Sequence, residues 1–258
     1  MDITFYKHPQ FKLPDERLQN PSFIEEIYET GRNLDKGRGS SKIIAISSKE
    51  YLLKKEVRGG LFSNILSSSF LDLSKFNNEL EIVQLLSDLN LTFPILLRVA
   101  YKKHLLWNLF TLLPYFSEIL SLKEMSIGLD WEDEKIFDAG KTIAKLHKLG
   151  FYHSDLNMGN IVFQGNDCKI IDFKNSYFYS SPLGKSLSLK NILRLIRSYH
   201  KENLLLSIEP KDDFEEILLS GYLSERDELN DFVSKKAKSP LHYLRKSIYR
   251  IRYRKRKK

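Results

Sequence analysis

Apolar positions recur along this chain with two different periods, and the period changes near the middle. Over the first hundred or so residues apolar and polar positions trade places in short runs. Residues 42–46 (KIIAI) and 51–55 (YLLKK) read as strands around a Ser-rich turn, and 95–101 and 105–109 as two more. Phe76, Leu80, Val83 and Leu86 fall at helical spacing within 76–89, and Pro94 follows. Asn20-Pro21 opens a shorter helix through Ile24, Ile27 and Tyr28 that Gly31 stops. Farther on, Ile136, Ala139, Ile143, Ala144 and Leu146 share one face of a helix over 134–149, with Gly150 placed to end it. Short strands at 161–163 and 169–173 flank the turn-like Gln164-Gly165-Asn166-Asp167, and helical patterns return at 187–200 and 214–219. The expectation is an α+β chain of two lobes, β-rich first and mostly helical second. Its expected divisions are an N-terminal extension with a short helix (1–36), an N-lobe (37–112), a C-lobe (113–235) and a basic amphipathic tail (236–258).

Composition narrows the class. With 42% hydrophobic residues in 258, the chain has material for a substantial core. The first twenty residues spread their charges and lack an apolar core segment, so no signal peptide is expected. The run 104–116 is too short for a membrane span and contains Pro114. Cys168 is the only cysteine, which excludes an intramolecular disulfide and suits a reducing compartment; a buried structural thiol is the expected role.

The charge of +8 sits at one end. Residues 245–258 hold nine of the 41 Lys and Arg and no acid; without them 32 basic residues face 33 acidic ones. Leu241, Leu244, Ile248 and Ile251 recur at spacings of three, four and three there, flanked by Arg250 and Arg252. Wound as a helix, that segment suits an anionic membrane surface. A solvated basic end and a nucleic-acid contact are the competing readings. Nucleic acid is disfavoured, since the body is not cationic and aromatics enter the tail only at Tyr249 and Tyr253.

The chemistry concentrates in YHSDLNMGNIVFQGNDCKIIDF, residues 152–173. A turn or strand end would explain Asp155, Asn160 or Asp172 taken singly. In this order, behind a long helix, they suit phosphoryl transfer, which needs positioning and charge neutralisation more than covalent chemistry. Asp155 is then the base that accepts the acceptor's hydroxyl proton. Asn160 and Asp172 offer hard oxygen ligands for Mg²⁺. His153 braces the loop. In the first lobe Lys54 would neutralise phosphate, with Lys55 as its competitor because strand alternation sends only one toward the cleft. Glu79 would hold that Lys, with Glu81 as the alternative. Gly37, Gly39, Ser40 and Ser41 (within GRGSS) could cover phosphates with N–H groups and hydroxyls. These parts together predict a protein-kinase-like fold.

Several segments resemble one family. GRGSS (37–41), YLLKKEVRGGLF (51–62), NNELEIVQLLSDLNLTFPILL (77–97), AGKTIAKLHKLGFYHSDLNMGNIVF (139–163), KIIDF (169–173) and NILRLIRS (191–198) are similar to the lipopolysaccharide-core kinases, most of all those for 3-deoxy-D-manno-octulosonic acid (Kdo). The resemblance covers roughly residues 34–200. It implies transfer of phosphate from ATP, with Mg²⁺, to a sugar hydroxyl, the 4-hydroxyl of Kdo on a lipid A precursor, at the cytoplasmic face of the inner membrane. It also points to Arg58, Arg194 and Arg197 as contacts for an anionic acceptor, since guanidinium pairs bidentately with carboxylate and phosphate. Lys174, directly after Asp172-Phe173, departs from the family pattern and puts the exact substrate in question. Heptose kinases of the same core, small-molecule or protein kinases, and a membrane-associated pseudokinase are the competing readings.

Overall fold

The structure, a computed structural model, describes residues 2–34, 41–56, 70–128 and 131–231. It separates into two compact units: Met1–Leu89 with Phe93–Ser117, and Asn90–Thr92 with the chain from Glu118 onward. The expected α+β character is present, with a sheet in the first unit and helices dominating the second.

The first unit contains β1 (Ile3–Lys7), α1 (Pro21–Thr30), β2 (Arg32–Asn33), β3 (Ser41–Ile46), β4 (Lys49–Lys55), α2 (Ser74–Asp88), β5 (Leu97–Lys103) and β6 (Leu106–Pro114). Its strands form one antiparallel sheet in the order β1-β5-β6-β4-β3-β2. Asn20 caps α1 by accepting from Ser22 N–H at 2.9 Å, with Pro21 at the first helical position, as the sequence suggested. Ser47 and Ser48 both take positive φ, 50° and 65°, the twist that a two-residue hairpin between β3 and β4 requires.

Strand alternation divides this sheet chemically. Leu53, Leu97, Val99, Tyr101, Phe110 and Leu112 join Leu18, Ile24 and Tyr28 in one core cluster. On the opposite face Ala100 and Leu109 cluster with Phe76 of α2. The segment expected to be an N-terminal extension supplies the edge strand of the sheet, with Ile3 opposite Tyr101 and Lys7 opposite Leu97. The β6 strand runs farther than its expected end at 109, to Pro114, which pairs with Tyr51. Proline is tolerated at such a strand end because few ladder bonds remain to be made there.

The second unit contains β7 (Ile119–Ser121), α3 (Leu122–Gly128), α4 (Asp133–Lys148), β8 (Phe151–Tyr152), β9 (Ile161–Gln164), β10 (Asp167–Ile170), β11 (Tyr177–Phe178), α5 (Lys185–Leu206) and α6 (Phe214–Leu223). Gly150, with φ of 85°, follows α4 and donates back to His147 O at 3.1 Å, closing the helix in a left-handed turn. A Cβ on Gly140 of α4 would lie 2.2 Å from Leu218 O; one on Gly221 of α6 would lie 2.0 Å from Phe137 O. The two helices cross where each lacks a side chain, backbone against backbone. That approach brings Tyr222 to His147, with a hydrogen bond of 3.1 Å. Strands β9 and β10 form the hairpin around the predicted tetrad, Ile161 opposite Ile170 and Gln164 opposite Asp167. The expected strand 169–173 ends early, at Ile170, because Asp172 turns to φ of 65°.

Candidate active site

In the second unit the candidate chemistry is held by one buried amide. Asn191 of α5 is fully buried, and its Nδ2 donates to His153 O at 2.7 Å. Its Oδ1 faces His153 N–H at 3.3 Å and His147 Nε2 at 3.0 Å. That oxygen can only accept, so His147 carries its proton on Nε2 and accepts from the Tyr222 hydroxyl through Nδ1. His153 has a parallel arrangement. Its Nε2 donates to Ile171 O at 3.0 Å, and its Nδ1 accepts from Asp155 N–H at 3.2 Å. One imidazole therefore ties the loop bearing Asp155 to the segment bearing Asp172. Burial lowers the pKa of both rings, that of His147 to about 4, so both are neutral near pH 7. His153 serves as the brace that the sequence suggested.

Asp155 is more than half exposed and holds a defined pose. Its Oδ1 accepts from Arg194 Nη2 at 2.5 Å, and its Oδ2 from Asn157 Nδ2 at 3.2 Å. Asn157 caps the following 3₁₀ turn (Met158–Asn160) by accepting from Gly159 N–H at 2.8 Å. Asn160 donates through Nδ2 to Asp155 O at 2.9 Å, which leaves Oδ1 as the side-chain atom available to a cation. The Asn160 backbone carbonyl accepts from Ile171 N–H at 3.0 Å, so the hairpin brings Asn160 beside the residue preceding Asp172. A left-handed aspartate is uncommon, and such backbone strain clusters at functional positions. The Asp172–Asn160 donor set is all oxygen, which fits Mg²⁺. Among the described residues no group of three or more His, Cys, Asp or Glu is gathered, so the cation would take its remaining ligands from phosphates and water. Arg197, also on α5, is exposed and donates to Leu193 O at 3.0 Å.

The first unit holds a second polar arrangement. Ser41, Lys54, Thr111 and Arg98 stand opposite one another across β3, β4, β6 and β5 and so share a face. Lys54 Nζ lies 3.8 Å from the buried Glu56 carboxylate, which accepts from the Thr111 hydroxyl at 3.3 Å. Arg98 Nε donates to Thr111 Oγ1 at 3.2 Å, and Arg98 Nη2 to Glu79 Oε2 at 2.9 Å. Lys55 goes to the other face, its Nζ 5.7 Å from the Tyr28 ring centroid and 5.6 Å from that of Phe110. Glu79, expected as the partner of Lys54, is buried and accepts from Arg98, and Glu81 is exposed. Sequence reading missed Glu56, Thr111 and Arg98 as members of this network. The available signal was Arg98 itself, a lone charge between Leu97 and Val99 in an apolar strand. Gly37, Gly39, Ser40, Arg58 and the tail positions Leu244, Ile248, Ile251, Arg250 and Arg252 lie outside the described residues.

Cys168 is a free cysteine, intermediate in burial as a residue, and desolvation of its thiol raises its pKa to about 12, which favours the protonated form. Among the described residues no helix is long and apolar enough to cross a membrane.

A β-rich unit followed by a helical unit that presents this loop and hairpin defines a protein-kinase-like fold. The chain belongs to the lipopolysaccharide kinase (Kdo/WaaP) family, whose model matches residues 33–222. A 3-deoxy-D-manno-octulosonic acid kinase of Vibrio vulnificus strain YJ016 is 26% identical over 196 residues, covering 74% of this chain and 82% of the relative. The kinase of the same name from Vibrio cholerae is 28% identical over 195 residues, covering 71% and 79%. One from Stenotrophomonas maltophilia strain R551-3 is 28% identical over 175 residues, covering 64% and 68%. Among solved structures, WaaP in complex with acyl carrier protein aligns with a TM-score of 0.53 and 14% identity over 92% of this chain and 98% of that one. At that identity the likeness speaks for the fold alone.

Proposed function

We propose that this chain transfers the γ-phosphate of ATP to a hydroxyl of Kdo, the 4-hydroxyl, on a lipid A precursor of the lipopolysaccharide inner core. The observation that carries the reading is the fixed pose of Asp155, oriented by Arg194, Asn157 and His153 while its carboxylate stays open to solvent. The matching relatives named as Kdo kinases supply the acceptor class. Asp155 orients the acceptor hydroxyl and takes its proton. Asn160 and Asp172 hold Mg²⁺, which neutralises charge on the transferring phosphate when bound. Lys54, with the Glu56 carboxylate 3.8 Å from it and Glu79 as its proposed anchor, neutralises the ATP phosphates, with Gly37, Gly39, Ser40 and Ser41 covering them. Arg58, Arg194 and Arg197 meet the anionic groups of the acceptor. The basic tail, through Leu244, Ile248 and Ile251 with Arg250 and Arg252, holds the enzyme on the anionic cytoplasmic face of the inner membrane.

The test is transfer of radiolabelled γ-phosphate from Mg-ATP to Kdo–lipid A, with heptosylated core and an aminoglycoside in parallel. Label on the Kdo glycolipid, lost in Asp155→Ala, is expected. Label confined to the heptosylated core would move the acceptor assignment to heptose. No transfer to any of them despite ATP binding would remove this reading and favour a pseudokinase.

A further inference from the structure

The α5 helix is fastened to the Asp155 loop along one face. Asn191 bonds His153, Arg194 bonds Asp155, and Ser198 Oγ accepts from Met158 N–H at 3.2 Å. The spacing of three and then four residues keeps these three contacts on one side of the helix. Beginning at Arg194 and extending past it in both directions is a second line: Lys190, Arg194, Arg197 and Lys201. They recur at intervals of four, three and four, so each lies above the next. Lys190, Arg197 and Lys201 are exposed.

Four stacked like charges weaken a helix unless an anion answers them. Among the described residues only Arg194 of the four has a carboxylate partner, Asp155. Glu202, the one acid of α5, is turned to Lys123 at 3.0 Å. The line spans twelve residues, about 16 Å of helix from first to last, long enough to meet more than one anionic group. At its Lys190 end it runs into aromatic surface. Lys190 Nζ lies 5.8 Å from the Tyr152 ring centroid, and Tyr152 faces Tyr177 at 6.5 Å. Tyr177, Phe178 and Tyr179 are 57%, 55% and 42% exposed, an unusual run of uncovered rings. Cations in line beside aromatic surface match a ligand whose charged groups adjoin an apolar part.

We propose that Lys190, Arg194, Arg197 and Lys201 form a docking track for the several anionic groups of one acceptor, a phosphorylated glycolipid, whose sugar is thereby delivered to Asp155. The proposal rests on the acceptor class given above and deepens it. Lys190 and Lys201, which no motif singled out, become specificity residues: they read phosphates remote from the reacting hydroxyl. The occupant is the acceptor's own headgroup, because the line passes through the side chain that grips Asp155.

The test uses the full chain and the double variant Lys190→Gln/Lys201→Gln. Binding is titrated with Kdo–lipid A in detergent micelles, in its bisphosphorylated form and after enzymatic removal of the lipid A phosphates, and kcat/KM is measured for both. The wild type should prefer the phosphorylated form, and the variant should lose about thirtyfold of that preference, the scale of two cations at an anionic surface. A preference equal to that of the wild type overturns the track. So does an equal loss of binding to phosphatidylglycerol vesicles free of glycolipid, which would make the line a general membrane contact. If the wild type phosphorylates neither form yet its phosphate-dependent binding falls in the variant, the track stands and the Kdo-kinase reading fails.

Discussion

Arg194 donates to the Asp155 carboxylate across 2.5 Å, from a helix whose next turn is bonded to the same loop. The planar guanidinium, together with Asn157, fixes which carboxylate oxygen faces where. Asp155→Asn removes the proposed proton acceptor and keeps the shape. It is expected to lower kcat by about 10²–10⁴ with ATP affinity unchanged, read by initial rates and nucleotide titration. Arg194→Lys should recover little of what Arg194→Ala loses, since a freely rotating ammonium does not reproduce the planar guanidinium N–H held at Asp155 Oδ1. Full recovery by Lys would reduce Arg194 to a point charge.

The role proposed for the Asp172 carboxylate is to bind the cation. Asp172→Ala is expected to abolish transfer while the far-ultraviolet circular dichroism stays that of the wild type. Its left-handed backbone, φ of 65°, suggests Asp172→Asn as the gentler variant, because Asn tolerates that region. Its residual activity should need more Mg²⁺ for half-saturation. An unchanged Mg²⁺ requirement would remove Asp172 from the ligand set.

Arg98 and Glu79 form a buried pair, their side chains 6% and 7% exposed. Removing one partner strands the other's charge and is expected to cost about 3–5 kcal/mol. Arg98→Met should therefore destabilise the protein strongly, and Arg98→Met/Glu79→Leu should regain most of the loss. Urea unfolding of the two single variants and the double variant measures the coupling. Additive losses would mean that the two side chains do not act as a pair.

The buried imidazoles make stability depend on pH. His147 falls from the ordinary 6.5 to about 4 on folding because burial disfavours its charged form, and His153 shifts the same way. The unfolded chain thus binds more protons between those values, so stability is full above about pH 6.5 and declines as pH falls toward 4. The decline assigned to His147 is on the order of 3 kcal/mol. His147→Gln should flatten this slope in denaturant titrations between pH 7 and 4.5. An unaltered slope would assign the decline to other groups.

The crossing of α4 and α6 leaves no room for a methyl group. Gly221→Ala would put Cβ 2.0 Å from Phe137 O and is expected to cost about 3 kcal/mol or more. Gly184→Ala, where nothing lies within 4 Å, should change the melting temperature little.

Much of this molecule was legible because local rules and tertiary demands agree. The helices α1, α2, α4, α5 and α6 followed from apolar spacing, whereas the short α3 was not expected; Ser47-Ser48 followed from turn chemistry. Asp155, Asn160 and Asp172 stood out because polar residues rarely interrupt apolar strands in that order. What escaped was long-range. Nothing near Glu79 in sequence announces Arg98, nineteen positions away, and Asn191 reaches His153 over thirty-eight. The β1 strand was missed because its partner, β5, begins ninety residues later. Strand alternation posed the choice between Lys54 and Lys55 but could not say which face held the carboxylates.

The frame of the Asp155 loop arrives late in synthesis. Asp155 and Asp172 leave the ribosome before Asn191, and Tyr222, which completes the polar chain through His147, follows a further thirty-one residues on. A nascent chain halted at residue 180 would hold the chemical groups without the amide that fixes their loop. The pose of that loop is thereby coupled to the synthesis of α5 and α6, which lie well downstream of the residues they hold.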